Sequence, residues 1–203
     1  MSFKLGTTNS RAILIKDGNY YDLEDISNGS ISSDSVQALE SIEKINELSN
    51  NLDNLSPSGS LSEIQLGTPV PNCKNSYAVG LNYKGHAEEG GMEIPEVPMV
   101  FTKHTSCFVG PKANIEMRSD FVDHEAELVV VIGKEGKDIK KENGWDHVAG
   151  MCIGQDISDR PAQFATQPPM FNLGKSFDTY GPMGPYLVSP DSLEDFKSLD
   201  LEC

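Results

Sequence analysis

The stretch Val122-Asp123-His124-Glu125-Ala126-Glu127-Leu128-Val129-Val130-Val131-Ile132-Gly133 decides how the rest of the chain is read. Its β-branched run marks a strand, and residues two apart in a strand point to the same side, so Glu125 and Glu127 present two carboxylates together. The unbroken apolar run after them predicts a strand covered on both faces. Ionised carboxylates in such a place are costly unless something positive meets them. Asp156, just past a second strand-like run from Val148 to Ile153, offers a third oxygen ligand. A carboxylate set without Cys or His suits a hard ion, magnesium or manganese before calcium, and speaks against zinc. The same residues also read as a Glu-x-Glu pair on the wet face of a half-buried strand, and this stretch alone leaves both readings open.

At 203 residues the chain is long enough for one sizeable core, or a core with a small appended unit. A hydrophobic share of 37% and a charged share of 23% are those of an ordinary globular protein. The net charge of -15, with no basic cluster to offset it, excludes nucleic acid as a partner, and an anionic substrate then needs a local positive site. No stretch reaches the length of a membrane span, and the first residues lack the apolar core of a signal peptide, so a cytoplasmic protein is expected. Cys73, Cys107, Cys152 and Cys203 form no Cys-x-x-Cys and read as reduced, structural thiols.

Residues 11–23 read as a hairpin turning at Asp17-Gly18-Asn19. Val36, Leu39, Ile42, Ile45 and Leu48 recur at helical spacing after Ser32 and Ser33, either of which suits the first cap. With the loop at Ser56-Pro57-Ser58-Gly59-Ser60, these features make residues 1–67 a small N-terminal unit without evident chemistry. Tyr77–Leu81 and Met99–Lys103 read as strands, Lys140–Asp146 as a short helix, and Asp191 as the cap of a brief helix through Phe196. Leu199, Leu201 and Cys203 alternate with acids, which predicts the first residues of a half-buried strand, or else a frayed tail.

The remaining polar candidates are sparse. His86 and Glu89, at i and i+3 in a short polar helix, place a carboxylate where it can orient an imidazole as a general base; the bland reading is an exposed histidine beside solvated acids. Asp156-x-x-x-Arg160-x-x-Gln163 brings three polar side chains near one another if a helical turn begins there, and Arg160 carries a fork suited to a carboxylate. Lys175 sits among Gly and Pro residues that make a rigid loop. Alone, it reads as another surface lysine.

Taken together, Gly80-Leu81-Asn82-Tyr83-x-x-His86-Ala87-Glu88-Glu89, Val109-Gly110-Pro111, Asp123-x-Glu125-x-Glu127-Leu128, His147-Val148-Ala149-Gly150, Asp156-Ile157-Ser158-x-Arg160-x-x-Gln163 and Gly174-Lys175-Ser176-Phe177-Asp178-Thr179 with Gly184-Pro185 resemble the fumarylacetoacetate hydrolase family in order and spacing. The resemblance runs from about Tyr77 to Val188 and implies a β-rich α+β protein. In it, residues 68–203 form a catalytic domain of mixed β-sheets wrapped into a roll, usually dimeric, behind the small unit of residues 1–67. It implies magnesium or manganese on Glu125, Glu127 and Asp156, and a water-activating dyad of His86 and Glu89 on a lid-like segment. It further implies that Lys175 stabilises negative charge on the substrate and that Arg160 and Gln163 line the pocket.

The implied activity is metal-dependent hydrolysis of a carbon–carbon bond in a 2,4-dioxo acid. The same enolate chemistry serves the family's isomerases, decarboxylases, hydratases and ureidoglycolate-type lyases. The implied partners are a small oxo or dioxo acid and a second copy of the chain, with neither nucleic acid nor membrane. Two departures stand out. His124 replaces a common Tyr or Trp, and the family continues past this terminus with strands that close the roll and a Gly-Thr-Pro segment of the pocket. The roll is therefore expected to be incomplete, which puts a non-catalytic remnant beside the enzyme readings.

Overall fold

The computed structural model describes residues 2–89, 91 and 93–202, except the side chains of His86 and Glu89. The chain opens with β1 (Lys4–Thr8), β2 (Arg11–Lys16) and β3 (Asn19–Asp22), followed by the short helices α1 (Leu23–Ile26) and α2 (Ser35–Ala38) and the longer α3 (Ile42–Asn50). Then come β4 (Gly59–Ser60), β5 (Tyr77–Gly80), α4 (Lys84–Glu89), β6 (Met99–Thr102), β7 (Phe108–Val109), β8 (Val122–Asp123) and β9 (Ala126–Ile132). The last part holds β10 (Val148–Gln155), β11 (Ser158–Asp159), α5 (Arg160–Gln163), α6 (Phe171–Gly174) and β12 (Gly181–Val188). The protein is sheet-rich α+β, and its main sheet stays open rather than closing into a barrel.

That sheet has eight strands, seven in the order β4-β3-β2-β1-β12-β10-β9, with β7 pairing beside β12. Lys4 and Leu5 of β1 pair antiparallel with Val188 and Leu187 of β12, so the hairpin strands and the later strands share one sheet. The hairpin forms as its sequence predicts: Asp17 and Gly18 both take positive φ, the geometry of a tight two-residue connection. Ala12 and Leu14 of β2 join one core with Leu5, Leu23, Leu39, Ile45 and Leu187. Ile13 and Ile15 point the other way, near Gly6 and Leu66. Both faces of β2 are thereby buried.

Several sequence expectations need correction. The helical run after Ser32 and Ser33 is broken by a 3-10 turn at Leu39–Ser41, and its cap is Asp34, whose side chain accepts from the Gln37 N–H at 2.9 Å. Asp191 caps no helix, since only a 3-10 turn at Pro190–Ser192 forms there, flanked by Ser189. Leu199 and Leu201 lie exposed outside any strand, and Cys203 falls outside the described residues.

The largest correction concerns β9. It is the edge strand of the sheet, with Val129 and Val131 packed on the core while Leu128, Val130 and Ile132 stay exposed. The expected cover on both faces is not found, because the packed layer lies only over the face that carries Val129 and Val131. Among the described residues no helix is long and apolar enough to cross a membrane. Cys73, Cys107 and Cys152 are free thiols, and burial pushes Cys107 up to about 11 and Cys152 up to about 12, away from thiolate chemistry.

Candidate active site

The alternation that turns Val129 and Val131 inward also turns Glu127 inward, and Glu125, one residue before β9, continues the same parity. β10 runs antiparallel alongside, with Gly154 opposite Glu127 and Gln155 opposite Ala126, and the Asp156 N–H donates to the Glu125 carbonyl at 2.8 Å. This register brings Asp156 to the glutamates. At α6, an added Cβ on Gly174 would meet the Gln163 backbone at 2.7 Å, so only glycine lets α6 lie this close to α5. Lys175, the next residue, is thereby set against the end of β10.

The side chains form one connected ion network. Lys175 Nζ donates to Glu125 Oε2 at 2.7 Å, to Asp156 Oδ2 at 2.9 Å and to Ser158 Oγ at 2.8 Å. Lys103 Nζ donates to Asp156 Oδ1 at 2.7 Å and also to the Lys175 carbonyl. Arg160 donates to Glu125 Oε1 at 2.7 Å, to Asp123 Oδ2 at 2.6 Å and to Gln163 Oε1 at 2.8 Å. The two lysines are only 7% and 3% exposed, for Lys103 and Lys175 respectively, so these contacts lie almost out of water. Phe101 adds a ring face 5.6 Å from the Lys175 ammonium.

Glu127 is the outlier of the set. Burial pushes its carboxyl up to about 7; the Tyr83 hydroxyl bond pulls it down, while repulsion from Asp156 and Glu125 adds to the rise. Tyr83 also accepts the Leu128 N–H at 3.2 Å, which places its hydroxyl beside Glu127. Asp123 goes the other way, held below the usual carboxylate range mainly by its hydrogen bond from Arg160.

The predicted site residues thus divide. Glu125, Asp156, Lys175, Arg160 and Gln163 are brought together by direct contacts, and Glu127 borders them. His86 and Glu89 lie on α4, with side chains outside the described residues. Arg160 grips Glu125 and Asp123 rather than Asp156. Among the described residues no three His, Cys, Asp or Glu side chains are grouped to hold a metal ion. What Glu125 and Asp156 hold is the Lys175 ammonium. The donors still fit a hard cation, since they are carboxylate oxygens, and two from separate segments already converge on one positive charge with a third close enough to be repelled by them.

Sequence reasoning missed Lys103, Asp123, Ser158 and Tyr83 as members of this cluster. Lys103 carried a signal, a charged residue directly after the apolar strand Met99–Thr102, but one lysine after a strand is common at surfaces.

The sequence pattern of the family described as fumarylacetoacetate (FAA) hydrolase C-terminal matches residues 75–203. The chain belongs to this family. A relative within reach of it, the mitochondrial oxaloacetate tautomerase fahd2 of Xenopus laevis, is 40% identical over 146 residues, 71% of this chain and 46% of that protein. The chain therefore spans about half the length of the curated relatives it matches. A solved Mycobacterium smegmatis structure named as an HpcE protein superposes with a TM-score of 0.85 at 34% identity, over 96% of this chain and 68% of that one. A maleylpyruvate hydrolase from Sphingobium sp. SYK-6, solved with manganese(II) and pyruvate, has the same fold at a TM-score of 0.75 and 22% identity, over 95% of this chain and 69% of that one.

Proposed function

We propose that the protein acts as a divalent-cation-dependent enzyme on enolisable 2-oxo acids, with Glu125, Glu127 and Asp156 as the cation's ligands. The observation that carries this reading is the convergence of Glu125 Oε2 and Asp156 Oδ2, from separate segments, on one buried positive charge at 2.7 and 2.9 Å. Magnesium or manganese suits these oxygens before calcium, and when bound it supplies Lewis-acid polarisation of the substrate's 2-oxo carbonyl.

The chain's own residues do the rest. Lys175 presents an ammonium to the oxygen on which enolate charge develops, and Arg160, steadied by Asp123 and bonded to Gln163, orients the substrate carboxylate. The sequence resemblance assigns proton transfer, to or from carbon or from an attacking water, to His86 with Glu89. A homodimer is part of the same proposal, and light scattering on the purified protein checks it.

Of the reactions that share such an enolate, keto–enol tautomerisation of a 2-oxo dicarboxylic acid comes first, supported by the Xenopus relative named for it. Hydrolytic cleavage of a 2,4-dioxo acid, favoured on sequence resemblance, is the second reading, supported by the family's description. A panel of oxaloacetate and acylpyruvates separates them. The first predicts loss of enol absorbance with all carbons retained in one product; the second predicts two carboxylic products. Either activity should need magnesium or manganese and fall by at least about a hundredfold in Asp156→Asn, the scale expected when a group stabilising transition-state charge is removed. Full turnover in excess chelator would overturn the proposal.

A further inference from the structure

The Lys175 ammonium has three N–H bonds, and the structure uses all of them, on Glu125 Oε2, Asp156 Oδ2 and Ser158 Oγ. None is left for a substrate oxygen. The cations around the carboxylates are also not equivalent. Arg160 takes the outer oxygen of Glu125 and is tied to Asp123, and Lys103 takes the outer oxygen of Asp156. Among the described residues, Lys175 alone bonds to both acids, through Glu125 Oε2 and Asp156 Oδ2. Its main chain is fixed at both polar atoms, the N–H on the Phe171 carbonyl and the carbonyl under Lys103, so the four-carbon stem is the part free to move.

We propose that Lys175 is an exchangeable occupant of the position a divalent cation takes, and that Lys103 is the resident counter-ion that stays. Arrival of the cation displaces the ammonium from Glu125 Oε2 and Asp156 Oδ2 while Lys103 keeps Asp156 Oδ1. The displaced ammonium is then the one presented to the substrate. Lys175 is thereby an internal competitor, which weakens cation binding and couples the readiness of the site to occupancy by the metal. This deepens the reading under Proposed function and rests on it.

The test uses manganese alone, titrated calorimetrically into the full chain and into Lys175→Met and Lys103→Met. Lys175→Met is expected to bind manganese at least about tenfold tighter than the natural chain, because no charge-assisted hydrogen bonds need be broken first. Lys103→Met is expected to bind no tighter. A second measurement needs no variant: with magnesium present, acetic anhydride should label Lys175 several-fold faster by peptide mass spectrometry, with Lys103 still protected. A natural chain that binds manganese, with Lys175→Met no tighter or Lys175 no more reactive, overturns the exchange alone. Absence of manganese binding in both the natural chain and Lys175→Met overturns the cation reading itself, and the exchange with it.

Discussion

Two strands of the main sheet, β2 inside it and β9 at its edge, carry similarly apolar runs and treat them in opposite ways. Ala12, Ile13, Leu14 and Ile15 of β2 are buried on both faces, while β9, richer in β-branched residues, leaves Ile132 61% exposed and Val130 exposed beside it. The difference lies in neighbours rather than in composition. β2 sits between β1 and β3 with helices on one face and the Leu66 segment on the other; β9 has one strand partner and one packed face. In β2, burial serves stability. In β9, the inward parity of a half-covered strand runs out of apolar residues and continues into Glu127 and Glu125, so the sheet edge ends in charge.

That contrast can be tested by substitution. The largest effect is expected from Asp156→Ala, which strips Lys103 and Lys175 of a shared partner in a place nearly without water; a loss of about 3–5 kcal/mol in chemical denaturation is expected for breaking one side of a buried ion pair. A loss near zero would mean that the network is wetter than its contacts imply. Leu14→Ala comes next, at about 2–5 kcal/mol by the same measurement, as for other large-to-small changes in close-packed cores.

Asp22→Ala follows, losing the N-cap of α1, worth about 0.5–2 kcal/mol. This site also predicts a pH dependence. Burial raises the Asp22 carboxyl, but hydrogen bonds from Arg11 and the Asp25 N–H outweigh it and hold the group below its ordinary 3.8. A carboxyl lowered on folding contributes stability that is present above its unfolded value and lost as pH falls through the folded one. Melting temperature against pH should therefore drop below about pH 4, as for other paired carboxylates, and Asp22→Asn should flatten that drop. The smallest effect is expected from Ile132→Thr, within about 0.5 kcal/mol as for other surface changes, and a large loss there would show that the outer face of β9 is covered in solution.

Much of the membership of this cluster is legible in the sequence. Glu125 and Glu127 declared themselves by parity, Asp156 by its place after a second apolar run, and Gln163 and Arg160 by helical spacing from each other. Lys103 and Ser158 did not, because nothing local separates a buried lysine from a surface one; Lys103 is 53 residues from its carboxylate partner. The same limit applied to β9, whose apolar run says that some face is buried but not how many. The caps show it on a smaller scale, since Ser32, Ser33 and Asp34 are all good capping residues and only the backbone path selects Asp34.

The amino-acid order by itself determined the strands and the tight turn at Asp17-Gly18, along with the acids that cluster and the family they belong to, because these rest on periodicity, turn chemistry and motif spacing along the chain. Only the tertiary structure decided that a lysine occupies the space between Glu125 and Asp156, that a second lysine holds the other oxygen of Asp156, and that β9 lies at an edge. Those outcomes depend on which distant segments meet, and a charge has no partner, nor a strand a second face, until the chain has folded back on itself.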